Sequence, residues 1–214
     1  MEDASDLSRD KLGPEMTDVK PMRADARRNY DRLLAEARRA FAERGVDASL
    51  EDVARSAGVG IGTLYRHFPT REDLIETLLR DRFDTQAEKA RELLLADDPL
   101  DGLYTWLIGF GETSAVYRGL TEMLADAFDD PESRLHASCE AMREAASHLV
   151  DRAQAAGVFR ADVTVRELLL LLHGASWAGS HLPGEGGTER LMGLVFTGLR
   201  TSEQRGQRAV SAPR

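Results

Sequence analysis

The chain has 214 residues, of which 42% are hydrophobic, and its 28 Lys and Arg against 37 Asp and Glu give a net charge of −9. That length holds one large domain or two small ones with a packed core. The single cysteine, Cys139, excludes an intrachain disulfide framework and suits a reducing cytoplasm. No apolar run reaches the ~20 residues of a membrane-spanning helix. The opening MEDASDLSRD is acidic and lacks the basic and apolar regions of a signal peptide, so a cytoplasmic location is expected.

Residues 1–22 carry Pro14, Pro21 and mixed charge with little periodicity, and are expected to form a flexible arm. A first helix is expected from about Asp25 to Arg44, with Tyr30, Leu33, Leu34, Ala37 and Phe41 on one stripe. Gly45 stops it. Arg27 and Arg28 lie near its N-terminus, where backbone N–H groups also favour a phosphate. An ordinary solvated face would explain them equally well.

The next stretch, SLEDVARSAGVGIGTLYRHF, has the marks of two short helices joined by a tight turn. Ser49 is a good N-cap, and Asp52 stands where it can reach back as a capping box. Leu50, Val53, Ala54 and Ala57 recur at i, i+3, i+4 and i+7, one face of a helix. Gly58 follows, where a left-handed residue is wanted. Ile61, Leu64, Tyr65 and Phe68 make a second face, and Pro69 ends it. Helices this short do not stand alone in water, so they pack on each other and on a third element. That is the helix-turn-helix arrangement, whose second helix enters the DNA major groove.

The run AGVGIGTLYRHFPTREDLIE, Ala57 to Glu76, resembles the DNA-binding segment of TetR/AcrR-type transcriptional regulators. The likeness is carried by the turn glycine Gly58, the Thr63-Leu64-Tyr65 core, Phe68 and the capped helix opening at Thr70. The resemblance implies an all-α chain. A three-helix DNA-binding head over 23–69 would precede a helical ligand-binding and dimerisation body over 70–201 and a disordered tail over 202–214. It also implies a ligand-responsive regulator, most often a repressor, that binds an operator as a homodimer and releases it on binding a small molecule. A constitutive or architectural DNA-binding protein with no effector is the alternative, and a fully packed body would mark it.

Thr63, Tyr65, Arg66 and His67 are the polar side chains of the second helix, at positions that face DNA in the resembled family. Arg can pair bidentately with guanine, Thr can touch a thymine methyl, and Tyr can bond phosphate. Tyr65 would also serve as core. Gly60 and Gly62 are small, so the backbone could approach the groove closely. Arg71 is placed like the family's basic phosphate contact. With Arg27, Arg28, Ser49 and Gly60, these residues make the candidate DNA-contacting set. Charge distribution agrees with that placement. Residues 20–80 hold 12 Lys and Arg against 10 Asp and Glu, a net of +2, whereas residues 81–214 carry −7. An acidic body behind a basic head would help orient the protein on DNA.

Thr70 caps a fourth helix, with Asp73 at N3 and Leu74, Ile75, Leu78, Leu79 and Phe83 on its buried side, running to about Ala96. A fifth, about Leu100 to Tyr117, is apolar nearly all round and therefore buried. Its Gly102, Gly109 and Gly111 leave room beside Trp106 and Phe110 for a neighbouring helix or a ligand. Further helices are expected at about 120–128, from Asp130 to Ala156, from Asp162–Thr164 onward, and at about Glu189 to Thr201. A loop over 179–187 separates the last two. The resemblance places Trp106, Phe110, Tyr117, Met123, Met142, His173 and Trp177 on the helices lining an effector cavity. The run Leu168 to Leu172 is apolar right round, and Leu191, Leu194, Val195 and Leu199 form another apolar face. Two copies of the segments around 164–181 and 189–201 would make a four-helix interface with two-fold symmetry.

An enzyme reading finds little support. His136 and Cys139 share a helix face, but two ligands do not make a zinc site and there is no CxxC. A Cys–His nucleophile pair needs an orienting third group and an oxyanion site. No cofactor or metal is expected.

Overall fold

The computed structural model describes residues 19–116, 129–179, 181–182 and 186–201. Among them the fold is all-helical: α1 (Val19–Arg44), α2 (Leu50–Ser56), α3 (Ile61–His67), α4 (Arg71–Leu93), α5 (Pro99–Val116), α6 (Arg134–Ala155), α7 (Val165–Gly179) and α8 (Gly187–Leu199), with a 3-10 turn at Gly45–Asp47. The expected helix at 120–128, the tail and most of the N-terminal arm lie outside the described residues.

Helix α1 begins six residues earlier than its apolar stripe predicts, at Val19 rather than Asp25. Pro21 is no obstacle there, because the first turn of a helix has no N–H to lose. Helix α2 starts as expected, with the Ser49 hydroxyl accepting from the Asp52 N–H at 3.2 Å. The capping box is only half made. The Asp52 carboxylate turns instead to Arg44 and Arg55, each at 3.0 Å. A full capping box closes the start of α4, where Thr70 and Asp73 exchange backbone-to-side-chain bonds of 2.9 and 3.0 Å. Thr164 and Glu167 repeat the device at α7, at 2.9 and 3.2 Å. At Gly58 the chain takes φ +71°, the left-handed conformation that turns α2 into α3.

The head and the body share one core. Leu33, Ala37 and Phe41 of α1, Leu50 and Val53 of α2, and Leu64 of α3 meet Leu74, Ile75 and Leu78 of α4. Helix α4 then runs on between α5 and α6, burying Leu79, Phe83, Ala87 and Ala90. Its buried stripe also carries Arg82 and Gln86. The Arg82 guanidinium lies 4.7 Å from the centre of the Phe110 ring and donates to the Phe110 carbonyl at 3.4 Å. Trp106 donates its indole N–H to the Gln86 carbonyl at 2.9 Å. On the other side of α5, the Ser176 hydroxyl of α7 donates to the Gly111 carbonyl at 3.3 Å. Helix α5 is therefore tied to α4 by one face and to α7 by another.

Helices α7 and α8 form a hairpin. At its closed end a Cβ on Gly179 would fall 2.4 Å from the Thr188 Cα, so only glycine allows this approach. Just after α8, Arg200 returns to the α6–α7 connection through an isolated antiparallel bridge with Phe159.

Candidate nucleic-acid interface

Helix α3 buries Leu64 and the following Phe68 against the head core, and leaves Ile61 and Thr63 half-covered. Its outward face carries Gly62, Tyr65 and Arg66, all exposed. Tyr65 is 45% exposed, so it belongs to this face and not to the core. Positions i, i+3 and i+4 of a helix project together, which brings these three residues to one surface.

The other candidates divide. His67 lies on a different side of α3, its ring edge-on to Tyr30 of α1 at 5.7 Å and 6.3 Å from the Phe68 ring. With Tyr30, Asp31, Arg38, Thr77 and Arg80 it borders an open polar cleft of about 670 Å³ between α1 and α4. Ser49 spends its hydroxyl on the α2 cap and on Glu51 Oε2 at 3.1 Å. Gly60 is the N-cap of α3 and supplies no side-chain cap. Arg71, half-buried at the start of α4, holds its guanidinium 5.9 Å from the Phe41 ring centre. Arg27 pairs with Asp31 at 3.3 Å and Arg28 with Asp25, all on exposed stretches of α1. Exposed pairs of this kind are worth ~0–1 kcal/mol, so either arginine can exchange its partner for a phosphate at little cost.

In the body, Trp106, Phe110 and Met142 are buried, with the Trp106 and Phe110 rings stacked at 5.3 Å. His173 and Trp177 sit elsewhere. Both are exposed on the outer face of α7, and the Trp177 ring rests 4.6 Å from that of His181. Tyr117 and Met123 lie outside the described residues. A narrow apolar gap opens from α5 on its other side, lined by Tyr104, Ile108, Leu168, Met192, Val195 and Phe196, with no room for a water molecule. The room expected at Gly111 is taken by Met192, whose Sδ would lie 2.3 Å from an added Cβ.

Sequence reasoning missed Arg82, a cation on the buried side of α4. The signal was present: Arg82 and Gln86 continue the spacing of Ile75, Leu78 and Leu79. Burial raises the thiol pKa of Cys139, while the positive charges of Arg143 and Arg82 oppose the rise. Among the described residues no group of His, Cys, Asp and Glu could hold a metal ion, and no helix is long and apolar enough to cross a membrane.

Known proteins share this arrangement. Residues 33–78 match the family model described as bacterial regulatory proteins, tetR family, and residues 98–201 match that of the transcriptional regulator SbtR-like, C-terminal domain. The solved TetR transcription regulatory protein from Mycobacterium vanbaalenii is 34% identical, covering 85% of this chain and 100% of its own, with a TM-score of 0.62. The TetR transcriptional regulator SCO0520 from Streptomyces coelicolor is 35% identical over 80% of this chain and 98% of its own, with a TM-score of 0.64. A curated relative, the HTH-type transcriptional repressor KstR2 of Mycolicibacterium smegmatis, is 27% identical over 191 residues, 81% of this chain and 91% of the relative. The helix-turn-helix head, the helical body and these likenesses agree: the chain belongs to the TetR family of transcriptional regulators.

Proposed function

We propose that this regulator is a homodimeric repressor that reads its operator with α3 and releases it when a small apolar molecule enters the body. The observation that carries the DNA reading is the outward face of α3, where Tyr65 and Arg66 project from a helix whose other side is locked into the head. Arg71, with Arg27 and Arg28, supplies cations for flanking phosphates. Repression is supported by the likeness to KstR2, which is named a repressor.

The dimer reading is supported by the outer face of α7 and α8. Leu170, Leu171 and Trp177 of α7 and Leu194 of α8 are 66, 45, 55 and 60% exposed. A soluble chain rarely leaves so much apolar surface on one pair of helices without a partner. A second copy meets it by two-fold symmetry, and two heads so related reach half-sites ~34 Å apart. The effector reading rests on membership of the family; beside α5 the described part of the body offers only a narrow apolar gap, so a ligand enters by parting the packing around that helix.

The test uses a duplex enriched by the wild-type protein from a random-sequence library. Tyr65→Ala and Arg71→Ala weaken binding to it with helix content unchanged. The Arg71 change also lowers the slope of log affinity against log salt by about one counterion. Wild-type binding by both variants across a salt titration refutes the assignment.

A further inference from the structure

Two glycines described above have reasons inside the protein: a left-handed turn at Gly58 and a backbone contact at Gly179. Gly62 has neither. Its φ is ordinary, and a Cβ built on it meets no described atom within 4 Å. It is the second residue of α3, a helix of seven residues. A helix this short is marginal, and a glycine in its first turn favours it less than alanine would. Among the described residues, no contact compensates the protomer for the glycine at this position.

The position of Gly62 shows where the compensation lies. It is exposed and shares the outward face of α3 with Tyr65 and Arg66. We propose that Gly62 is a specificity-determining residue that sets the depth of α3 in the major groove. The inference rests on the reading of α3 as the groove helix. Without a side chain at this point the helix backbone closes on the base pairs, and Tyr65 and Arg66 come within hydrogen-bonding reach of their partners. A methyl group at Gly62 stands between the helix and the groove floor. A lift of only ~0.6 Å takes a 3.0 Å hydrogen bond out of range. Contacts to phosphate from long, flexible arginines follow such a lift, whereas bonds to base edges do not. Loss therefore falls on sequence-specific binding and spares non-specific binding.

The experiment compares wild type, Gly62→Ala and Tyr65→Ala on the duplex selected by the wild-type protein and on a scrambled duplex of equal length. Gly62→Ala is expected to melt at or up to ~2–4 °C above wild type, because alanine favours the helix and no described atom obstructs it. It is expected to bind the selected duplex at least ~10-fold more weakly, the value of one base contact, and the scrambled duplex as wild type does. If Gly62→Ala binds the selected duplex like wild type while Tyr65→Ala loses it, the depth role is wrong and α3 remains the groove helix. If neither variant loses affinity, α3 is not the groove helix and the proposal falls with that reading. A lower melting temperature for Gly62→Ala also overturns it, since the glycine would then serve the fold.

Discussion

Replacing Leu170 by Glu tests the two-fold assembly most directly. Leu170 is 66% exposed on the outer face of α7, so its side chain adds little to the protomer core. Full burial of a leucine stabilises by ~1.5–3 kcal/mol, and covering its exposed two-thirds is worth ~1–2 kcal/mol. Two-fold symmetry counts each substitution twice, so the dimer loses ~2–4 kcal/mol of apolar burial. At 1.4 kcal/mol per decade this is a ~30- to 700-fold weaker dimer, before the cost of desolvating two carboxylates. The protomer should keep its helix content and melt cooperatively. Sedimentation velocity over a concentration series reads the change, and operator affinity should fall with it because paired half-sites need paired heads. A Leu170→Glu protein that dimerises as tightly as wild type would show that this face is not the interface.

Thr70→Ala removes the hydroxyl that closes the α4 capping box, and should cost ~1 kcal/mol and lower the melting temperature by ~2–4 °C. The Glu167 carboxyl is held below its ordinary range by the Thr164 backbone N–H and then by the Thr164 hydroxyl. A carboxyl pKa lowered by folding contributes stability above its unfolded value of ~4.3 and loses it as pH falls through the folded value. Wild type should therefore melt slightly higher than Glu167→Gln at pH 7, and the two melting curves should converge in acid. For the effector, a Trp177→Phe background leaves Trp106 as the sole fluorophore of the two tryptophans. Apolar aromatic compounds from a panel should quench Trp106 and release DNA together. Gly109→Leu should abolish both effects while sparing operator binding, since no described atom obstructs a Cβ there. Unchanged quenching in that variant would place the pocket elsewhere.

Local chemistry made the head legible in the sequence. Ser49, Gly58 and Thr70 each act within a few residues of themselves, and each performs in the structure the role its type and spacing imply. What was not legible depends on partners distant in the chain. Asp52 could be read as a capping-box acid, but Arg44 had to be placed by the 3-10 turn before its competing ion pair could be seen. Spacing puts Arg82 on the buried stripe of α4, but the partners that let a cation stay there, the ring and carbonyl of Phe110, lie 28 residues away on α5. The run Leu168 to Leu172 has no polar side, so its periodicity sets no phase. Burial of Leu168 and Leu172 and exposure of Leu170 and Leu171 followed only once α5 and α8 were in place. Trp177, seven residues beyond Leu170, went to the outer face for the same reason. Of the residues proposed to line a pocket, Trp106, Phe110 and Met142 are buried, while His173 and Trp177 stand exposed on the outer face of α7.

These ties bear on how a body ligand could reach the head. In the proposed response, a ligand that displaces α5 must strain or break the Trp106–Gln86, Arg82–Phe110 and Ser176–Gly111 contacts together. Leaving one buried hydrogen-bonding group unsatisfied costs ~1–3 kcal/mol, the same size as a useful allosteric coupling. Moving α4 and α7 along with α5 avoids that cost. Helix α4 extends ~34 Å at 1.5 Å per residue, from the body to Arg71 beside α3. Its first turns are packed into the head by Leu74, Ile75 and Leu78, so the head moves with the helix rather than bending away from it. Helix α7 carries the proposed two-fold face. One displacement in the body therefore changes both ends of the lever that sets the head-to-head spacing, and a shared core passes it on as a rigid movement.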